Sequence, residues 1–486
     1  MNWDFLDISR SFLEDNKGKL LIEGKFGVEK ESQRITSSGD LALTAHPSAF
    51  GDKTGNPHIT VDFSESQIEM ITPTYKSVDE VYDGLNIINS EVENNIGDEL
   101  LWPLSMPPKL PAEDRIPIAN FSDSEHGNHM QIYRKGLALR YGKKMQMISG
   151  IHYNFSFGDE LIEYLYRKYG NENDERLFID EIHFALTRNF LRYRWLLIYL
   201  FGASPYCHSS YHSVINKEIR IIKKCCHDCV DIIENFNQYA TSLRVSRFGY
   251  STTLKHDNIY FNSLEEYSTK IRKMLATENE KYSNFGIYKN GSQIQLNGNI
   301  LQKESEFYSS IRLKQNTRNG ETPLDALEKR GVKHVEVRIL DLNPFERLGL
   351  SVEQMHFLQI FMLFCLFEKS EKITDSEYEK INSNHHHVAL YGRKDGLKLQ
   401  KYDKGSIGLS EWGEEIFERL KDIAELIYKD TGDKKYLNSI SKEYKKLFDV
   451  SLLPSERIHR EMKENNENFL KFGTRWAINN LDKTSS

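Results

Sequence analysis

The sequence has few cysteines, no excess of basic residues and no long apolar run. Five of its 486 residues are cysteines, an odd number. The formal net charge of -7 argues against a nucleic-acid-binding surface, which needs a basic face to neutralise phosphates. No stretch approaches the roughly 20 apolar residues of a membrane helix, and the N-terminus lacks the basic start and apolar core of an export signal. These absences predict a soluble, cytoplasmic protein with neither a nucleic acid nor a membrane as partner.

Three of the cysteines cluster at residues 225–229, in the sequence CCHDC. A structural zinc site would need a second ligand pair at matching spacing, and none is evident. Basic residues lie close by, at Arg220, Lys223 and Lys224. We interpret the cluster as a reduced turn of surface helix, with zinc binding as the alternative.

No repeat, low-complexity tract or Gly/Ser/Pro-rich linker divides the chain, so we expect a single domain over residues 1–486. Capping boxes predict helices beginning after Ser77, Ser263 and Ser351. Apolar residues at helical spacing predict further helices over residues 129–142, 159–170, 176–200 and 410–429. Alternating or β-branched stretches predict strands over residues 20–36, 58–73, 146–157, 293–301 and 333–343. We expect the helices to form a shell around the strands.

Two acids point the same way from the first predicted strand. The period of two places Glu29 and Glu31 on one face, about 7 Å apart along the strand. Carboxylates so placed repel each other unless they are solvated or share a divalent cation, which takes oxygen ligands. A metal site and a solvated edge strand are both open interpretations, and the edge strand is the simpler one for this segment alone.

The next segment also interleaves acids with apolar residues. Asp62 and Glu69 are seven residues apart, which would put them on opposite faces of an uninterrupted strand. A bulge or turn near residues 64–65 must therefore intervene if both acids serve one site.

Two later strands carry further candidates. Glu336 and Arg338 share a strand face, an arrangement that suits a metal ligand beside a phosphate clamp and equally suits a surface ion pair. His152 shares a face with Asn154 and Ser156. Such a histidine is more often structural than a ligand.

Long motifs along the chain resemble those of bacterial glutamate-cysteine ligases of the proteobacterial type. The N-terminal half carries GVEKE at 27–31, TVDFSE at 60–65, WPLSMP at 102–107, YRKGL at 133–137 with RYG at 140–142, and SGIHYNFS at 149–156. The later chain carries LFGASP at 200–205, TSLR at 241–244 with GY at 249–250, VEVR at 335–338 with DLNPF at 341–345, and GRK at 392–394 with GL at 396–397. The motifs occur in the family's order, and the match runs from about residue 18 to 475, leaving 476–486 as an expected flexible tail. An ordered series of long motifs is far more specific than one glycine fingerprint.

The resemblance implies an α+β fold like that of glutamine synthetase, in which a curved, mainly antiparallel sheet forms a funnel-shaped active site covered by helices. It implies metal-binding or metal-proximal roles for Glu29, Glu31, Asp62, Glu69, His152 and Glu336. It implies phosphate and glutamate contacts, and so catalytic roles, for Arg244 and Arg338. It implies a cysteine pocket lined by Tyr133, Arg134, Leu137, Tyr250 and Tyr308.

The implied reaction is the first step of glutathione biosynthesis. ATP would phosphorylate the γ-carboxylate of glutamate, and the amino group of cysteine would then displace phosphate from the γ-glutamyl phosphate. The expected cofactors are ATP as co-substrate and Mg²⁺, or Mn²⁺ in its place. The expected partners are the small-molecule substrates alone, on a monomer or weak homo-oligomer.

Three alternatives stay open at this point. The chain could be a ligase of the same fold with another amine acceptor, a catalytically inactive relative, or the ligase half of a two-step glutathione enzyme, for which its length leaves too little room.

Residues 206–240 match the family poorly, so no role is assigned there. Asp395 stands where the family has proline, and we expect only a loop to differ. His385, His386 and His387 are expected in a loop without a metal role, because imidazole suits Mg²⁺ poorly.

Overall fold

An antiparallel sheet lies at the centre of the computed structural model, which describes residues 5–121, 123–170, 174–225, 236–249, 258–402 and 404–482. Its strands are β1 (Gly24–Ile35), β2 (Ile59–Val61), β3 (Gln67–Ile71), β4 (Leu100–Leu101), β5 (Ile151–Phe157), β8 (Ile311–Lys314) and β9 (His334–Leu340). Their order is β2-β3-β1-β5-β9-β8, with β4 paired to the end of β1. Two small hairpins lie apart, β6 (Tyr288–Lys289) with β7 (Ser292–Gln293), and β10 (Lys398–Lys401) with β11 (Gly405–Gly408).

The strand register aligns the predicted site residues across the sheet. Glu31 pairs with Glu69 of β3, and Glu29 pairs with His152 of β5. On the next strand, Asn154 pairs with Glu336. The β5–β9 register is irregular between Ile151 and Tyr153, beside His152. Such irregularities redirect side chains, and this one lies at His152, between the strands that carry Glu29 and Glu336.

Helices cover the sheet. Those in the first half are α1 (Phe5–Glu14), α2 (Val78–Asn95), α3 (Glu125–Tyr141), α4 (Asp159–Tyr169), α5 (Glu175–Phe201), α6 (His212–Cys225) and α7 (Phe236–Tyr239). Those in the second half are α8 (Leu264–Ala276), α9 (Glu280–Ser283), α10 (Pro323–Arg330), α11 (Val352–Phe367), α12 (Asp375–Tyr391), α13 (Leu409–Thr431), α14 (Lys435–Tyr444), α15 (Pro454–Glu464) and α16 (Phe469–Asp482). Within the described ranges, no helix is both long and apolar enough to cross a lipid bilayer.

The helix starts follow the predicted caps. Ser77 and Glu80 form a reciprocal capping box at the start of α2. Ser263 and Ser351 accept hydrogen bonds from the third residue of α8 and α11 respectively. These bonds satisfy amide groups that have no partner inside the helix, so each serine fixes where its helix begins.

The core lies behind the sheet, where α5 packs against both α11 and β9. Fourteen of the 16 residues of α11 are buried. Each fully buried large apolar side chain contributes roughly 1.5–3 kcal/mol, so this helix anchors the sheet from behind. The α+β fold class with an antiparallel sheet is confirmed.

Three local predictions are wrong. Of the predicted strand 293–301, only Gln293 lies in a strand, because the side chains of Asn297 and Asn299 bond to nearby backbone and hold a loop. His385, His386 and His387 lie in α12 and not in a loop, since Thr374 caps a helix whose apolar residues continue to Tyr391. The expected flexible tail is the third error, because residues 476–482 lie in α16, where Trp476 and Ala477 are buried. The predicted strand 58–73 is two strands, β2 and β3, and the turn between them is the one that Asp62 and Glu69 require if both acids serve one site.

The described part of residues 206–240, where no role was assigned, contains α6. The helix includes Cys225, in agreement with the prediction of helix there. Cys226 and Cys229 lie outside the described residues, so the interpretation of the cysteine cluster stays a prediction.

Candidate active site

A cavity of about 340 Å³ opens on the face of the sheet opposite the core. Tyr250 lies outside the described residues, and all the other predicted site residues line this cavity. They are Glu29, Glu31, Asp62, Glu69, Tyr133, Arg134, Leu137, His152, Arg244, Tyr308, Glu336 and Arg338. Sequence reasoning therefore predicted side chains that the fold brings together from positions 29 to 338.

A larger cavity of about 630 Å³ lies between α12, α13 and the β10–β11 hairpin. None of the described predicted residues lines it. Its charges largely pair with one another, as Arg192 does with Glu377 at 2.6 Å and Lys401 with Glu415. The smaller cavity, which holds all the predicted site residues that the structure describes, is the better candidate for chemistry.

The acidic group is centred on His152. Its Nδ1 is 3.1 Å from Glu29 Oε2 and 3.4 Å from Glu336 Oε1, and its Nε2 is 3.6 Å from Glu31 Oε1. Two sets of three donors, Glu29–His152–Glu336 and Glu31–Glu69–His152, each have donor atoms within 4.8 Å of one another. Either set is compact enough to surround one cation.

Nearby cations compensate Glu31 and Glu69 only in part: Arg244 and Arg338 act on Glu31, and Arg134 acts on Glu69. Burial and the nearby Asp62 raise the pKa of Glu31 to about 8. Burial, Asp62 and Glu29 raise the pKa of Glu69 well above its ordinary value. A divalent cation among these carboxylates would offset the repulsion, and carboxylate oxygens, which are all but one of the donors in each set, suit Mg²⁺ or Mn²⁺. The donor set therefore fits the implied metal.

Glu336 lies where the acidic and basic halves of the cavity meet. Its Oε1 is 2.6 Å from Arg338 Nη1, and its Oε2 is 2.9 Å from Lys314 Nζ. Burial alone would raise its pKa, but Arg338, Lys314 and Arg312 together hold it well below its ordinary value. This carboxylate therefore stays ionised, as a metal ligand must.

Arg244 is 2% exposed. Its Nη2 donates to the carbonyl of Arg338 over 2.9 Å, and its Nη1 is 3.8 Å from Asp341 Oδ1. Within the described chain, its Nε and Nη1 have no hydrogen-bond acceptor. A Cβ on Gly150 would lie 1.9 Å from Nη2, so only glycine leaves the guanidinium in this position. A buried cation with unused donors is suited to an anionic ligand.

The predicted acceptor residues lie on α3 and on the segment before β8. Tyr133 is buried and Leu137 lies one turn further along α3, while Tyr308 is partly buried. Arg134 donates from Nε to the carbonyl of Asp62, and from its other nitrogens to the carbonyls of Val61 and Met130. Its guanidinium therefore fixes the β2–β3 turn, in addition to any contact with substrate.

Sequence reasoning missed four charged residues of the cavity: Lys303, Glu306, Arg312 and Lys314. Arg312 and Lys314 alternate with the buried Ile311 and Leu313, and this period of two in residues 311–314 was the available signal. Lys303 and Glu306 lie in irregular backbone and a short 3₁₀ turn, where no periodicity indicates which way a side chain points.

Comparison with known proteins supports one family. The family model described as glutamate-cysteine ligase matches residues 10–388. The chain is 60% identical over 479 residues to the glutamate–cysteine ligase of Clostridium acetobutylicum, covering 98% of this chain and 100% of that protein. It is 40% identical to that of Pseudomonas syringae pv. syringae, covering 95% and 85%.

Solved structures agree. The crystal structure of glutamate–cysteine ligase from Francisella tularensis in complex with AMP superposes with a TM-score of 0.85 at 34% identity, covering 95% of this chain and 89% of that one. A bifunctional glutathione synthetase from Pasteurella multocida superposes with a TM-score of 0.76 at 27% identity, and the match covers 98% of this chain and 54% of that one.

Proposed function

The chain belongs to the glutamate-cysteine ligase family, and we propose that the cavity on its sheet is where this chain joins the γ-carboxylate of L-glutamate to the amino group of L-cysteine with the use of ATP. The products are γ-glutamylcysteine, ADP and phosphate, in the first step of glutathione biosynthesis. The observation that carries the assignment is the meeting of six carboxylates and six cationic side chains in one cavity, with His152 and Glu336 in contact at its centre.

The reaction has to make an oxygen of the γ-carboxylate a leaving group. A carboxylate oxygen attacks the γ-phosphorus of ATP, the bond to the β-phosphate oxygen breaks, and ADP departs. Arg244, Arg338 and Lys314 line the cavity, and in this proposal they stabilise the charge on the transferred phosphoryl oxygens. Mg²⁺ or Mn²⁺, held by Glu29, Glu31, Asp62, Glu69, His152 and Glu336, would supply positive charge to screen the two reacting anions.

The second half-reaction needs the acceptor amine and little water. The amine nitrogen attacks the activated carbonyl carbon, loses a proton, and phosphate leaves with the C–O bonding electrons. Tyr133, Leu137 and Tyr308 provide apolar walls around the acceptor. A lined cavity of this kind keeps water from hydrolysing the acyl phosphate.

Further properties follow from the same proposal. We assign a cytoplasmic location, small-molecule partners only, and a monomer or weak homo-oligomer. The net charge of -7 supports the exclusion of nucleic acid. The sheet and its helices share their core, which supports a single catalytic domain.

Phosphate release from ATP tests the proposal. The purified protein is incubated with Mg²⁺, ATP and glutamate, and each proteinogenic amino acid is offered as acceptor. We expect release that depends on glutamate and is fastest with cysteine, together with γ-glutamylcysteine detected by mass. Faster turnover with another amine would assign a different acceptor to the same fold, and no release with any acceptor would contradict the function.

A further inference from the structure

Lys303 is a cation of the cavity that the reaction described above does not use. Its Nζ lies over the ring of Tyr133, 4.1 Å from the ring centroid, and it lines the cavity beside Arg134 and Tyr308. Lys303 is thus on the acceptor side of the cavity, while Arg338 and Lys314 surround Glu336 on the other.

The ammonium group of Lys303 is not committed to the protein. Among the described residues, it donates no hydrogen bond and forms no ion pair, and its only contact of this kind is with the face of Tyr133. The neighbouring acids are occupied: Glu306 pairs with Arg140 at 3.0 Å, and Glu304 accepts from the amide of Leu324. Three donors therefore remain for a ligand.

The other cations at this end are already engaged. Arg134 donates to three backbone carbonyls, and Arg312 donates to the carbonyls of Ser305 and Phe307. Burial, Arg134 and Arg312 disfavour the charged form of Lys303, while Glu304 and Glu306 favour it, and the pKa is lowered to about 8. An anion bound here would offset the repulsion among the three cations.

We propose that Lys303 binds the α-carboxylate of the acceptor amino acid and thereby selects amino acids over simple amines. The proposal rests on the proposed function. An acceptor whose side chain packs against Tyr133 has its carboxylate within reach of a group stacked on the same ring. The ammonium then exchanges a weak contact with an aromatic face for a charge-assisted hydrogen bond.

Two acceptors and two variants test the inference. Initial rates are measured for wild type, Lys303→Met and Lys303→Arg with L-cysteine and with cysteamine, which has the same amine and thiol without the carboxylate. For Lys303→Met we expect the KM for cysteine to rise roughly ten- to a hundredfold, the loss of one charged hydrogen bond. The KM values for cysteamine, glutamate and ATP should stay near those of wild type. Lys303→Arg should recover most of the affinity for cysteine.

A matched control is Lys270→Met, because Lys270 also lies over a tyrosine ring, that of Tyr260 at 4.4 Å, but outside the cavity. It should leave every constant unchanged, and thermal melts of all variants check that the fold is intact. An unchanged KM for cysteine in Lys303→Met would overturn the inference. So would an equal loss of kcat with both acceptors that is recovered at higher pH, which would identify Lys303 as a proton acceptor. Wild type that releases no phosphate would contradict the proposed function itself.

Discussion

Glu336 connects the acidic and basic halves of the site, so its charge is the most direct test of the assignment at the residue scale. Its two oxygens contact Arg338, Lys314 and His152 at 2.6, 2.9 and 3.4 Å. Glu336→Gln keeps the shape and removes the charge. We expect kcat to fall at least about 100-fold, as when a preorganised electrostatic contact is removed, with an unchanged circular dichroism spectrum.

The control for this change is Glu328→Gln, which weakens an exposed pair with Arg272 outside the cavity lining. It should have wild-type activity. A folded Glu336→Gln enzyme with near-normal turnover at saturating Mg²⁺ would remove Glu336 from the metal set.

Gly150 tests the role of Arg244 without altering any charge. An added Cβ would meet the guanidinium at 1.9 Å, so Gly150→Ala must displace the guanidinium of Arg244. A displacement of about 1 Å in a reacting constellation costs on the order of a hundredfold in rate, and we expect kcat to fall by that order. Gly55→Ala, whose new Cβ meets nothing nearer than 3.8 Å, is the control. Normal kcat in Gly150→Ala would mean that the position of Arg244 does not matter to the reaction.

At the scale of single elements, strand periodicity predicted much of the site. A period of two placed Glu29 with Glu31 and Glu336 with Arg338, and the spacing of Asp62 and Glu69 required the turn that joins β2 to β3. Which strands become neighbours was not predictable in this way. Pairing depends on long-range contacts, and the placing of His152 between Glu29 and Glu336 follows from the register.

The errors have physical causes. Residues 293–301 have the composition of a strand, but only Gln293 joins one, β7, and asparagine and glutamine side chains of this segment bond to backbone. His385, His386 and His387 looked like a polar loop, yet His385 is buried in α12 and bonds to the carbonyl of Val245 at 2.7 Å. A polar side chain with a buried partner cannot be recognised from sequence pattern alone.

The buried pair of Arg140 and Glu306 joins α3 to the segment that carries Lys303 and Tyr308. Arg140 Nη1 is 3.0 Å from Glu306 Oε1, and both side chains are at most 1% exposed. Arg140→Met leaves a buried carboxylate without its cation, which typically costs about 3–5 kcal/mol. We expect that loss in the free energy of unfolding measured by urea titration, with a higher KM for cysteine.

The exposed Arg272 offers the comparison, because Arg272→Met breaks surface pairs that typically contribute about 0–1 kcal/mol. Equal losses in the two variants would show that burial of the Arg140 pair has no energetic consequence. A large loss of stability in Arg140→Met without any change in the KM for cysteine would show that this pair does not position the acceptor pocket.

At the scale of the whole molecule, stability and chemistry come from opposite faces of one sheet. The apolar residues of α5 and α11 support the sheet from behind, and the repelling acids occupy the other face. A core of that size stabilises the fold without any contribution from the site. The repulsion among the buried acids therefore lowers the free energy of unfolding without preventing folding. Bound metal should then add to a stability that already exists.

This division predicts how metal ions affect the melting temperature. Removing metal with EDTA should abolish activity but leave a folded protein. Adding Mn²⁺ or Mg²⁺ should raise the Tm, because binding adds about 2.7 kcal/mol to the free energy of unfolding when the free ion is at a hundredfold excess over its Kd. The double variant Glu31→Gln/Glu69→Gln removes two carboxyl groups whose raised pKa shows that the fold disfavours their charged form. The new amide side chain on β1 retains an oxygen that can accept the hydrogen bond from the amide of Gly150. Without metal, it should melt at or above the wild-type temperature, and metal should shift its Tm little. A variant that melts well below metal-free wild type would show that these carboxylates support the fold, and a metal shift as large as that of wild type would place the cation elsewhere.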